Sequence, residues 1–287
     1  MLTLWLVYAL YLSEYLMKHR RAIYFYFVCI FSFIADNLYS EEIRRIEDNS
    51  FMLEEAYNQE EGVVQHISGL QYQNPGKWNY TFTQEWPVPG QTHQLSYSIP
   101  LFFEPQSAGI MDIMLNYRFQ AIRNDTVAFS PRFSVILPTG NYIDGRGDGA
   151  FGVQAGLPLS LVLGSRWVTH FNLGVTYIPH AFAVGNNGPL EDKTGLNFGA
   201  SVIFIATDNL NFMLESVVQT NLVKTQAGEV AFENSVILNP GIRYAIDIGE
   251  LQIVPGISVP FGIGPSWGEY GVFIYLSFEH PMFKVAK

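Results

Sequence analysis

Glu269-Tyr270-Gly271-Val272-Phe273-Ile274-Tyr275-Leu276-Ser277-Phe278-Glu279 falls into two sets when read by parity. The even positions, Tyr270, Val272, Ile274, Leu276 and Phe278, are apolar or interfacial. The odd positions carry Glu269, Gly271, Ser277 and Glu279 along with two aromatics. A helix, at 3.6 residues per turn, would mix the two sets, whereas a strand keeps them on opposite faces.

The same separation recurs upstream. Leu210-Phe212-Leu214 and Val218–Leu222 oppose Asn211, Glu215, Gln219 and Asn221. Val236, Leu238, Ile242, Tyr244, Ile246 and Ile248 oppose Glu233, Ser235, Asn239, Arg243 and Asp247. Trp167, Phe171, Leu173, Val175 and Tyr177 oppose His170, Asn172, Gly174 and Thr176. Carried along the chain, the pattern predicts about twelve strands near 62–72, 77–87, 91–101, 108–121, 125–138, 149–162, 165–179, 194–207, 209–223, 232–248, 250–262 and 268–280. Neither face of the first is cleanly apolar. Pro131, Pro158, Pro240 and Pro255 fall inside strands and predict bulges or kinks, because proline cannot donate to a ladder.

Connections give a second regularity. The turns after the even-numbered strands are brief: Pro87–Gly90, Ile122–Asp125, Leu163–Gly164, Thr207–Asn209 and Gly249. The longest, Thr139–Asp148, His180–Lys193 and Lys224–Ala231, all follow odd-numbered strands. Short periplasmic turns alternating with longer outer loops, on an even strand count, describe a transmembrane barrel with both termini in the periplasm. A soluble sandwich or lipocalin-like barrel also alternates, but it needs a polar exterior. Here aromatics recur near strand ends (Trp78 and Trp86, Trp167 and Tyr177, Tyr244, Trp267 and Tyr270), as interfacial girdles do. The expected fold is an all-β, up-and-down antiparallel transmembrane barrel of about twelve strands in the bacterial outer membrane, with a short N-terminal helical segment.

Composition agrees. Of 287 residues only 15% are charged, against about 25% in ordinary globular domains. Mean hydropathy is slightly positive, yet beyond the N-terminus no apolar run is long enough for a helical span. A net charge of −10 excludes nucleic acid as a partner class. Lys18-His19-Arg20-Arg21 followed by apolar Ala22–Ala35 has the form of an export signal, with Met17 as the expected true start and cleavage near Ser40. A membrane helical hairpin with Leu2–Leu16 as its first arm is the competing reading. Three divisions follow: a signal over 1–40, an acidic segment over 41–61, and the barrel over 62–283. The acidic segment is expected to form a short helix near the barrel base, with an inward plug as the alternative. The only cysteine, Cys29, lies in the signal, so the mature chain would have no disulfide or thiolate site.

Several stretches resemble a known family. Pro131-Arg132-Phe133-Ser134-Val135-Ile136-Leu137-Pro138-Thr139-Gly140 with Gly152-Val153-Gln154, His170 to Tyr177 with Pro179, Asn239 to Ile246, and Glu54 to Gln59 with Gly62 to His66 are similar to outer-membrane transporter-like barrels named for a meta-pathway of phenol degradation. The similarity spans most of residues 50–283. It implies passage of small hydrophobic or aromatic compounds and no agreed catalytic or binding residues. Barrels usually end on an aromatic; this chain runs on from Phe283 to Lys287.

The parity nominates a polar lumen along the solute path: Glu85, Asp112, Asn116, Arg118, Arg132, Gln154, His170, Asn172, Glu215, Gln219, Arg243, Asp247 and Glu250. Such residues either select solutes or pair with one another to fill the lumen. His66 and Ser68 lie on one strand face, the arrangement of a membrane lipid hydrolase, though no acidic partner is identifiable. Asp144-Gly145-Arg146-Gly147-Asp148-Gly149 could bind a cation or present Arg-Gly-Asp, but any tight outer loop uses these residues. The leading expectation is a non-enzymatic barrel for passive uptake or efflux of a small solute, with no cofactor. A lipid hydrolase and a structural or surface-interaction barrel are the alternatives. Expected partners are outer-membrane lipids, the solute and, during insertion, the barrel assembly machinery.

Overall fold

A computed structural model describes residues 46–105, 107–182, 191–224 and 230–282. The expected export signal and the residues after Met282 lie outside these. The described residues form one closed antiparallel barrel of twelve strands. The first three strands are Val63–Gln73, Lys77–Pro87 and His93–Glu104. The fourth runs in pieces, Ser107–Ile110, Ile113–Phe119 and Ile122–Arg123, and the fifth as Val127–Phe129 and Arg132–Leu137. The sixth to ninth are Gly152–Leu163, Trp167–Ala181, Glu191–Thr207 and Leu210–Lys224. The tenth is Val230–Tyr244 with Ile246–Ile248, the eleventh Leu251–Ser258 with Phe261–Gly262, and the twelfth Gly271–Pro281. The first strand, without a clean apolar face, pairs along its length with the twelfth, from Val63↔Pro281 to Gln73↔Gly271, and closes the cylinder.

Alternation explains which side of the wall each residue takes. On the twelfth strand Ile274 is 47% exposed and faces outward, while Tyr275 and Ser277 are buried inside. On the ninth, Phe212 and Leu214 are outward and half-exposed, while Asn211, Met213 and Glu215 are buried. The exterior is a continuous apolar belt, built to face hydrocarbon. The brief turns recur at one end, with Gly164 and Gly249 at positive φ, where glycine carries no Cβ penalty.

Two expectations are corrected. Strands were expected at 108–121, 125–138 and 250–262, with bulges or kinks at Pro131 and Pro255. The ladder breaks at Ser130–Pro131, and also at Met111–Asp112, Gln120–Ala121 and Val259–Pro260, where no break was expected. Pro131 and Pro260 lack the N–H that would continue it. Pro158, Pro240 and Pro255 stay in register, opposite Asn172, Leu214 and Leu276. The second correction concerns the N-terminal segment. The described part, from Ile46 to Glu61, contains no helix and is extended with bends. It lies inside the barrel. Phe51, Leu53, Ala56 and Tyr57, whose spacing suggested a helical face, are all buried there.

Candidate functional site: the lumen and the segment within it

Residues 46–59 run once round the inner circumference of the barrel. Ile46 packs with Ala245 and Val254 near the short turn at Gly249. Asp48 accepts from the Tyr275 hydroxyl at 2.6 Å and Gln65 at 2.9 Å, and also from Ser277. Ser50 then meets Ser201 at 3.1 Å. Glu54 reaches the seventh strand, Ala56 the sixth, and Asn58 the fourth. Gln59 closes the circuit against Gln94 of the third and Gln65 of the first.

The wall holds this segment mainly through its backbone. The N–H groups of Met52, Glu54, Ala56 and Asn58 donate to Glu215 (3.1 Å), Asn172 (2.9 Å), Ser160 (2.8 Å) and Gln120 (2.8 Å). From Met52 to Asn58 these donors fall on alternate residues, the period of an extended chain, and the N–H of Gln59 adds a bond to Gln94 at 2.8 Å. Carbonyls are met as well. Arg243 donates to those of Ile46, Asp48 and Asn49 at 2.6–3.0 Å. Arg118 donates to those of Glu55 and Tyr57 at 3.0 and 2.6 Å. Asn172 and Gln120 return bonds to the carbonyls of Glu54 and Ala56 at 2.8 and 2.9 Å. Away from water, each of these groups would be costly to leave unpaired.

Side chains of the segment fit places where the wall has none. A Cβ on Gly199 would come within 2.1 Å of Leu53, and one on Gly241 or Gly256 within 2.3 or 2.7 Å of the Phe51 ring. Phe51 also sits edge-on to Phe273 and Tyr275, with centroids near 6 Å. Inward glycines are thus sockets, as glycine within a strand often marks a close approach. Burial, reinforced by the nearby Asp48 and Glu47 carboxylates, pushes the Glu55 carboxyl well above the usual range, and Arg118 only partly offsets it.

The thirteen nominated residues divide by height. Arg118, Asn172, Glu215 and Arg243 hold the segment directly. Arg132 pairs with Glu54 and donates to Gln154. Glu85 accepts from Gln94 at 2.5 Å and lies 3.8 Å from Arg118. His170 contacts Ser160 at 2.7 Å through Nδ1, and so stands behind the Ala56 contact. Asn116 donates to Ser96 at 3.1 Å and, with Glu85 and Arg132, borders a polar gap of about 120 Å³ beside the segment. Gln154 and Gln219 line a larger vestibule of about 580 Å³ toward the long-loop end. Asp112 is not on the open lumen: its carboxylate accepts from Gly140 and Asp148 N–H, each at 2.8 Å, and ties down the loop of 139–148. Asp247 and Glu250 flank the short turn at Gly249, exposed, below the lumen. They are corrected, because inward parity continued past the rim places a residue in solvent. The residues missed are Gln65, Gln94, Gln120, Ser130, Ser160 and Ser201, together with Asp48 and the three socket glycines.

His66, Ser68 and the Asp144–Gly149 loop each have partners of their own among the described residues. His66 approaches His280 at 3.2 Å, and Ser68 approaches the Tyr80 hydroxyl at 3.2 Å, so each is partnered away from the other. In the Asp144–Gly149 loop, Arg146 pairs with Asp144 and Asp148 with Lys193. Those charges brace the loop.

No protein-family model and no curated protein sequence matches the chain. Solved structures do. The NanC porin superposes with a TM-score of 0.51 at 6% identity, over 76% of this chain and 98% of that one. An outer-membrane channel from Pseudomonas putida F1 superposes with a TM-score of 0.60 at 8% identity, over 78% of this chain and 97% of that one. At such identities the likeness is one of fold: this chain has the barrel architecture of outer-membrane channels and porins.

Proposed function

We propose that the chain is an outer-membrane channel for passive passage of a small solute, closed at rest by residues 46–59. The observation that carries this reading is the complete circuit of wall side chains around an extended segment, inside a barrel whose exterior is apolar. A barrel needed only as an anchor or a surface display would gain nothing from a lumen whose charges answer to a removable strip of chain. Both the segment and the twelfth strand end beside the short turns, and barrel convention, in which short turns are periplasmic, supports reading both termini as periplasmic. Transport needs no energy source: solute would enter the vestibule and pass once the segment moves aside, selected by the polar side chains along the path. The resemblance to the phenol-pathway family adds a small hydrophobic or aromatic solute to this reading. The polarity of the walls argues for a different class, developed below.

Planar-bilayer recording tests the proposal. The chain lacking residues 46–59 is expected to give stable ohmic steps, where the full chain gives small or brief ones. Correctly folded deletion protein that passes no current, and no solute into liposomes, would refute it.

A further inference from the structure

The wall residues that grip the segment do so as a peptide-binding groove would. Four N–H groups at alternate residues, Met52 to Asn58, meet four acceptors on four different strands. Asn172 both accepts from and donates to Glu54, the reciprocal pair that a neighbouring β-strand would supply. Main-chain bonds of this kind give affinity with little regard to sequence, while pockets for alternate side chains give selectivity. Both parts are present here, the pockets being the glycine sockets under Phe51 and Leu53. Asparagine, glutamine and serine offer hydrogen bonds rather than an apolar surface, and the amides in particular match a peptide unit donor for acceptor.

We propose that the lumen is a binding site for an extended polypeptide, that residues 46–59 are its built-in ligand, and that linear peptides are the solutes that take their place. This rests on the channel reading, although binding itself does not require conduction. The carbonyls held by Arg118 and Arg243 belong to no particular side chain, so a foreign peptide can present the same groups. Its preferred form carries apolar residues two apart, to enter the sockets used by Phe51 and Leu53. The vestibule above supplies a landing surface. Asn197, Gln219 and Asn221 line it and make no side-chain hydrogen bond among the described residues.

The test uses the folded full chain with a protease site inserted between Glu60 and Glu61, both exposed. After folding and cleavage, the barrel is offered a fluorescent synthetic peptide of residues 46–60. Saturable exchange is expected, with displacement by a peptide that keeps only Phe51 and Leu53 and shuffles the rest. N-methylation at Met52, Glu54, Ala56 or Asn58 removes one wall bond each and should weaken binding about tenfold per methyl. No exchange into the cut barrel, or N-methylated peptide binding as tightly as the parent, overturns the site. In liposomes bearing the deletion protein, uptake of short peptides is expected; uptake of phenolics without peptides overturns the solute class. Peptide binding to a barrel that conducts nothing would instead sink the channel reading and leave the binding site standing.

Discussion

The short-turn half of the lumen and its long-loop half are cut from the same strands and lined by the same residue types, yet they are used oppositely. In the short-turn half Arg118, Asn172, Glu215 and Arg243 are engaged by residues 46–59. Two rungs toward the long-loop end, Asn197, Gln219 and Asn221 line open space. Strand parity fixes what points inward, but only a second segment decides whether an inward polar group is structural or free for solute. On the channel reading proposed above, the lower half would stabilise closure and the upper half would be where solute is selected.

The contrast can be broken from below. Arg243→Met removes three charge-assisted bonds to carbonyls of the segment, each worth about 1.5–3 kcal/mol. It should release Ile46 to Met52, seen as loss of most of their amide-exchange protection while the strands keep theirs. A protected segment in this variant would show that the arginine is filler. Gly199→Val is more selective, since the three atoms nearest an added Cβ all belong to Leu53. Overpacking of this kind costs about 1–3 kcal/mol, and Leu53→Ala should restore closure in the double variant. A barrel equally closed in Gly199→Val would mean that the socket does not bear on the segment.

Acidity sharpens the comparison further. The Glu55 carboxyl has a raised value inside the barrel, so its neutral form favours the seated segment. That contribution is full below the ordinary carboxylate value and is lost as pH rises through the raised one. Conductance should therefore grow toward alkaline pH in the native chain and lose that slope in Glu55→Gln. An unchanged slope would assign the pH dependence elsewhere. The smallest effect belongs to the open half. Gln219→Ala and Asn221→Ala should leave stability unchanged to within about 0.5 kcal/mol, while altering solute flux through the deletion barrel. Altered melting would mean that these amides are structural after all.

Much of this was legible in the residues. Period-two alternation gave the strands, their faces and the inward positions of Glu215 and Arg243, because lipid on one side and lumen on the other penalise any slip by one residue. Strand breaks at Pro131 and Pro260 were harder, since proline at Pro158, Pro240 and Pro255 is tolerated in register and the sequence does not separate the cases. The segment itself was misread as helical. Its apolar residues are too few to define a period, and its acidity resembled a solvated surface. A clue was available in the wall. Inward Glu215 and Arg243 face Asn239 and Asn211 rather than opposite charges across the ninth and tenth strands, and Gly199, Gly241 and Gly256 leave gaps on inward positions. Unpaired charges and missing side chains together call for another piece of chain.

The central claim is that residues 46–59 close the lumen reversibly. The hydroxyls of Ser50 and Ser201 lie 3.1 Å apart, one on the segment and one on the wall, so Ser50→Cys with Ser201→Cys can pin them by a disulfide. Single-channel recording of that variant, oxidised and then reduced in the same membrane, reads the claim directly. A silent channel is expected when oxidised, and openings like those of the unpinned chain once reductant is added. Equal current in the two states would contradict it.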